Sequence, residues 1–273
     1  MVLEGLIKPF KAEKRPLEMF FIGILFSSIA ILLSIFVFAP YSSIVSIALT
    51  AMVCVPLIYG IIKMEERKSM EIKKESLLVK EHGRAMMFFL LLFLGFVVSF
   101  ALWYIFLPEA YVAEVFNVQT ETLSSVWSSS DITGAAVNQT DGVFDLLRHN
   151  IKVLFFCLIF AFFYGFGAIF ILTWNASVIG AAVGDMVRST MHTGFISSIS
   201  AGLLRYMIHG IPEIIAYFTA GLAGGIISIA VINHDFKSEK FKNVLKDSLD
   251  LVVVSLALLV VAAFLEVFVS PLL

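Results

Sequence analysis

Charge is scarce in this chain. Asp, Glu, Lys and Arg make up 15% of its 273 residues, against about 25% in a soluble globular domain. Hydrophobic residues make up 60%, including 27 Phe. That balance excludes an ordinary soluble fold. The apolar excess falls in blocks of about 20 residues, the length of helix that spans roughly 30 Å of hydrocarbon. The net charge is −2, which excludes a polybasic nucleic-acid binder. Cysteine is nearly absent. Cys54 and Cys157 each lie inside an apolar block, without the spacing of a disulfide framework or a thiolate metal site. No HExxH and no GxSxG occurs, so the motifs of a zinc hydrolase and of a serine nucleophile are both missing. No metal or other cofactor is expected. The N-terminal "MVLEGLIKPFKAEKRPLEMF" lacks the short apolar region of a cleavable signal.

The apolar blocks predict an all-α, polytopic transmembrane helix bundle. Clear spans cover 19–39, 43–62, 86–107, 151–174, 211–232 and 250–271. A weaker segment at 175–210 is interrupted by Asp185, Arg188 and the Gly194 region. Lys and Arg collect before the first span (Lys8, Lys11, Lys14, Arg15). They collect again at 63–85 and at Lys237, Lys240, Lys242 and Lys246. Basic loops stay cytoplasmic, whereas 40–43 and 108–147 carry no Lys or Arg. The N-terminus and the basic loops are therefore expected inside the cell membrane, and 108–147 outside. An even number of crossings must join Asn175 to Lys237, so 175–210 is expected to cross as well. That gives about seven crossings, with two helical pieces joined near 188–194. A re-entrant 175–210 with six crossings is the alternative.

Four regions follow. Residues 1–15 form a cytoplasmic amphipathic segment, with Val2, Leu3, Leu6, Ile7 and Phe10 on one side. Residues 16–107 hold the first three helices, and their basic loop 63–85 extends helices past the membrane toward anionic headgroups. Residues 108–147 form an outer loop, either a connector or a small folded cap. It contains the sequon Asn138-Gln139-Thr140. Residues 148–273 are the core.

Ionisable groups inside spans mark function or a buried pairing. Asp185 and Arg188 are three residues apart and can face each other on a helix. Counting 1.5 Å per residue from Asn175 puts them near mid-depth, as a self-neutralising pair or part of a solute path. A second set shares one depth on the outer side: Arg205, His209, Glu213 and Glu266, with His149 and Asn150 at the start of the fourth span. This set is either a structural polar knot or a pocket for a headgroup, peptide or solute. A metal there would need a third ligand from His149 or Glu266. Pro212 suits the first turn of a helix, with Gly210 turning the chain into it. Gly165, Gly167, Gly180, Gly184, Gly221, Gly224 and Gly225 offer smooth faces that are expected to pack together at the centre.

The stretch "RHNIKVLFFCLIFAFFYGFGAIFILTWNASVIGAAVG" followed by "HGIPEIIAYFTAGLAGG" resembles the stage II sporulation protein M family. The matching positions are Asn150, Gly165, Gly167, Asn175, Gly180, His209, Gly210 and Glu213, within about 148–232. Where the family commonly has Asn-Gly, this chain has Asn175-Ala176. The resemblance implies an integral membrane protein without established enzymatic activity; the sporulation member is the membrane partner of cell-wall hydrolases. For this chain it implies a multispan scaffold that recruits protein partners. The alternatives are a transporter or lipid-handling protein, and an intramembrane metal-dependent enzyme. Association with the bilayer and with protein partners is expected, no nucleic acid is, and a homo-oligomer is compatible with the sequence.

Overall fold

The computed structural model describes residues 15–71, 75–124, 139–161, 166–190, 196–233 and 238–270, all of whose regular elements are helical. Helix α1 is Pro16–Val37, α2 is Ser42–Glu71, α3 is Glu75–Phe106 and α4 is Glu109–Val115. A short α5 covers 117–124. Then come α6 (Gln139–Ala161), α7 (Phe166–Thr190), α8 (Ile196–Asn233) and α9 (Glu239–Phe264). A π turn at Leu265–Val269 prolongs α9. Helices α1, α2, α3, α7, α8 and α9 are long and apolar enough to cross a membrane. Helix α6, 23 residues long, runs beside them.

Contacts fix the direction of each helix. Helices α1 and α3 run parallel: Gly23 meets Gly95, and Ser28 Oγ lies 3.0 Å from Ser99 Oγ. Helix α6 descends along α8, its Leu158 and Ala161 meeting Gly224. Helix α7 starts at the same level, with Ala168 against Gly221, and rises until Gly184 meets Tyr104 near the end of α3. The chain therefore reverses between Ala161 and Ala168. Seven helices traverse the bundle among the described residues. The chain enters at one end with α1 and leaves at the other with Ser270. The end near Pro16, Glu71 and Glu239 exposes Lys63, Arg67, Arg84, Lys240 and Lys242 and is called the basic end here.

Helix α8 is the central post. Tyr217, Phe218, Leu222 and Ile226 are all buried, as befits a helix apolar all round. Its glycines admit three neighbours: Gly221 faces Ala168 of α7, Gly224 the Leu158 carbonyl of α6, and Gly225 Ile62 of α2.

At the opposite, cap end, residues 109–124 fold onto the bundle. Val112, Val115 and Phe116 are buried, and Phe116 packs on the rings of Phe100 and Tyr104. The buried Gln119 accepts from Ser43 Oγ at 2.7 Å and donates to Ser177 Oγ at 3.1 Å. A buried amide bonded on both sides fixes a register. Residues 109–124 of the stretch 108–147 are a folded cap. Asn138 and residues 1–14 lie outside the described residues.

Several expectations are corrected. The apolar stretch 151–174 is not one span, because Ala161 of α6 and Ala168 of α7 meet α8 at the same level while the two helices run in opposite directions. The stretch is apolar from 153 to 172, so hydropathy does not separate the two helices. The pieces on either side of 191–195 are not halves of a broken or re-entrant crossing; they end one full helix and begin the next. Pro212 does not open a helix either. It sits inside the 38-residue α8, where it cannot donate to the Ile208 carbonyl. Gly180 and Gly184 pack on Phe100 and Tyr104 of α3 rather than on the glycines of α8.

Candidate functional site

Helix α8 places His209, Glu213 and Tyr217 four residues apart, on one face. Tyr217 Oη donates to Glu213 Oε1 at 2.7 Å. His209 Nδ1 lies 2.9 Å from Ser270 Oγ, just past the π turn. That turn carries Glu266, which lies within electrostatic range of Glu213 and Tyr217. The structure thus brings together His209, Glu213 and Glu266, and adds Tyr217 and Ser270. Asn150 is buried in α6, whereas His149 is exposed. The side chain of Arg205, and Gly165, lie outside the described residues. Among the described residues no group of three His, Cys, Asp or Glu side chains is placed to hold a metal. The side chains at the centre form two bonded pairs: Tyr217 with Glu213 along α8, and His209 with Ser270 between α8 and the end of the last helix.

Asp185 and Arg188 stand elsewhere. Tyr104 Oη donates to Asp185 Oδ1 at 3.1 Å. Arg188 Nη1 donates to the carbonyls of Tyr104 and Leu107 at 3.2 and 3.1 Å. A cation on the last carbonyls of a helix caps its dipole. The pair therefore closes the cap end of α3 and does not sit at mid-depth. Asn175 is no helix end: it lies inside α7 and donates to the Ile171 carbonyl at 2.9 Å. Depth counted from it falls short.

The bundle interior holds a cavity of about 20 Å³, lined by Ile58, Ile62, Phe89, Ala168, Ile169 and neighbours. Apolar cavities of this kind stay dry. It lies toward the basic end, and neither the His209 group nor Asp185 lines it. Gly210, beside His209, has open space where a Cβ would be. Gly210→Ala should therefore fold as well as the parent or better, since alanine gains about 0.5–1 kcal/mol over glycine within a helix. Thermal unfolding in detergent checks this; a marked loss of stability would show that the backbone there needs glycine.

A second polar centre lies beyond the apolar spans at the basic end. His82 of α3 is buried between two carboxylates: Nδ1 is 2.7 Å from Glu65 Oε2 of α2, and Nε2 is 3.0 Å from Asp247 Oδ2 of α9. Ser69 Oγ also donates to Asp247. Lys68 Nζ pairs with Glu65 at 2.7 Å and with Glu81 at 3.4 Å. A neutral imidazole has one N–H, so donating to both carboxylates requires the imidazolium. Burial alone pushes the His82 pKa down. The hydrogen bonds and charges of Asp247 and Glu65 outweigh it and hold the pKa up at about 9. Sequence reading missed this centre because its members lie 17 and 165 residues apart. A cue was present, however: the charges of 63–85 are spaced as a helix continuing past its span.

The fold and these centres define a polytopic α-helical membrane protein, with polar groups locked between helices at both ends. The sequence profile of the Stage II sporulation protein M family matches residues 85–271, more than half of the chain. The chain belongs to this family. The match is wider than the motif-bearing 148–232 and takes in α3 from Ala85 onward, the cap and α9. The chain is also 30% identical over 129 residues to an uncharacterized protein of Methanocaldococcus jannaschii, across 46% of this chain and 69% of that protein. No solved structure matches it.

Proposed function

We propose that this membrane protein is a non-enzymatic scaffold that holds protein partners at a cell membrane, with its basic end in the cytoplasm. The observation that carries the reading is the internal bonding of the family motif. His209 of α8 bonds Ser270 beyond α9, and along α8 Glu213 accepts from Tyr217; polar groups bonded internally suit a closed joint better than a wet conduit. The orientation follows the concentration of exposed Lys63, Arg67, Arg84, Lys240 and Lys242 at one end. There α2 runs nine residues past Ile62, about 13 Å beyond the apolar span. That projecting, charged and well-packed surface suits a docking platform.

The test is photo-crosslinking in native membranes from a reactive amino acid at Arg67 or Lys240. Discrete protein adducts at these positions, absent from a lipid-facing control at Phe21, support the scaffold. Lipid adducts alone, together with solute flux through the purified protein in liposomes, would replace it with the transport reading. A cysteine at Lys240 should be labelled only from the cytoplasmic side, and one at Ser124 only from outside. The reverse would invert the topology.

A further inference from the structure

We infer that α9 is a strut that carries the state of the basic end to the family motif at the cap end. The inference does not depend on which partner the scaffold holds.

Helix α9 has polar side-chain contacts with other helices at both of its ends. At the basic end, Asp247 meets His82 and Ser69. At the other, Ser270 meets His209, and Glu266 lies within electrostatic range of Glu213. The two contacts are 23 residues apart along one helix, about 35 Å. Between them, Ser255 Oγ bonds its own helix at the Val252 carbonyl. Much of α9 faces outward, with Val253, Val254, Val260, Val261, Phe264 and Phe268 exposed. The buried side is mostly small: Ser248, Ser255, Ala262 and Ala263, with Leu251 and Leu259. Small residues along the seam let α9 lie close to its neighbours, and closely packed helices make small sliding motions.

Two details indicate that the present register is one of at least two. Ser248, next to Asp247, buries its Oγ without a hydrogen-bond partner among the described residues, and such orphans are uncommon in a settled structure. The π turn at Leu265–Val269 holds one residue more than an α turn would. Such turns are often found at functional sites. Its conversion to α-helix would re-aim Glu266 and Ser270 against Glu213 and His209. A partner that pulls Asp247 away from His82 would thus reset the motif at the opposite end.

The experiment uses the full chain in lipid nanodiscs with ¹⁵N-labelled histidine, five residues in all. The His82 and His209 signals are assigned by single substitution. Asp247→Asn should shift the ring nitrogens of His209 as well as those of His82. Coupling is reciprocal, so Ser270→Ala should shift those of His82 as well as those of His209. Glu18→Gln, at the same end on α1, should leave His209 unchanged. Should Asp247→Asn fail to fold, Ser69→Ala weakens the same contact and is read in the same way. If each substitution moves only its own histidine, α9 does not couple the ends and the inference falls.

Discussion

Gly95→Leu should yield no folded protein. A Cβ at Gly95 would overlap the Phe20 carbonyl oxygen, and one at Gly23 would lie 2.5 Å from the Leu92 carbonyl oxygen. Both obstacles are backbone, so no rotamer change relieves them. Overpacking a core usually costs about 1–3 kcal/mol because side chains can shift. Here α1 and α3 must separate along a parallel seam, and the cost should lie at or above the upper end of that range. Even Gly95→Ala should lower the yield of monodisperse protein in size-exclusion chromatography. Gly224→Leu should behave likewise, because the Leu158 carbonyl of α6 blocks it. Normal yield of Gly95→Leu would show that α1 does not pack on α3 as described.

The second large effect is expected at His82. His82→Ala leaves the buried Glu65 and the partly buried Asp247 facing each other without the cation between them. Removing one partner of a buried ion pair costs about 3–5 kcal/mol, and thermal unfolding should report it. The pH dependence follows from the raised pKa. The stabilisation is fully present below the ordinary imidazole value of 6.5 and is lost as pH rises through about 9. Stability should therefore fall between neutral pH and pH of about 9 or above. His82→Gln, which can hydrogen-bond but carries no charge, should abolish that fall while costing stability at neutral pH. An unchanged alkaline transition in His82→Gln would assign it to another group.

Much of the architecture was legible because it depends on one strong signal. Apolar blocks give all-helical spans, since these follow from the energetics of single segments in lipid. The opposite directions of α6 and α7 were not legible: the chain is apolar from 153 to 172, so one span was read across both helices, and Asn175 and Asp185 were misplaced in depth. Pro212 was taken as a helix start because proline favours first turns, yet α8 carries it in its interior. His209, Glu213 and Glu266 stood out because they are ionisable and their depth can be counted along helices. Their partners Tyr217 and Ser270 carry no charge and did not stand out. The Gly23–Gly95 seam and the Glu65–His82–Asp247 centre depend on which helices are neighbours, and a single chain's periodicity does not encode that.

The central claim is that the family motif forms a closed joint within a dry bundle. The native Cys157 tests it without any substitution. It is fully buried on α6 and within electrostatic range of Tyr217. An aqueous path to the motif would expose it to a small, membrane-impermeant thiosulfonate. We predict that Cys157 stays unmodified in native membranes from either side until the protein is denatured, while an engineered cysteine at the exposed Ser124 reacts at once. Rapid modification of Cys157 in the native protein would show that water reaches the motif, and would contradict the closed joint.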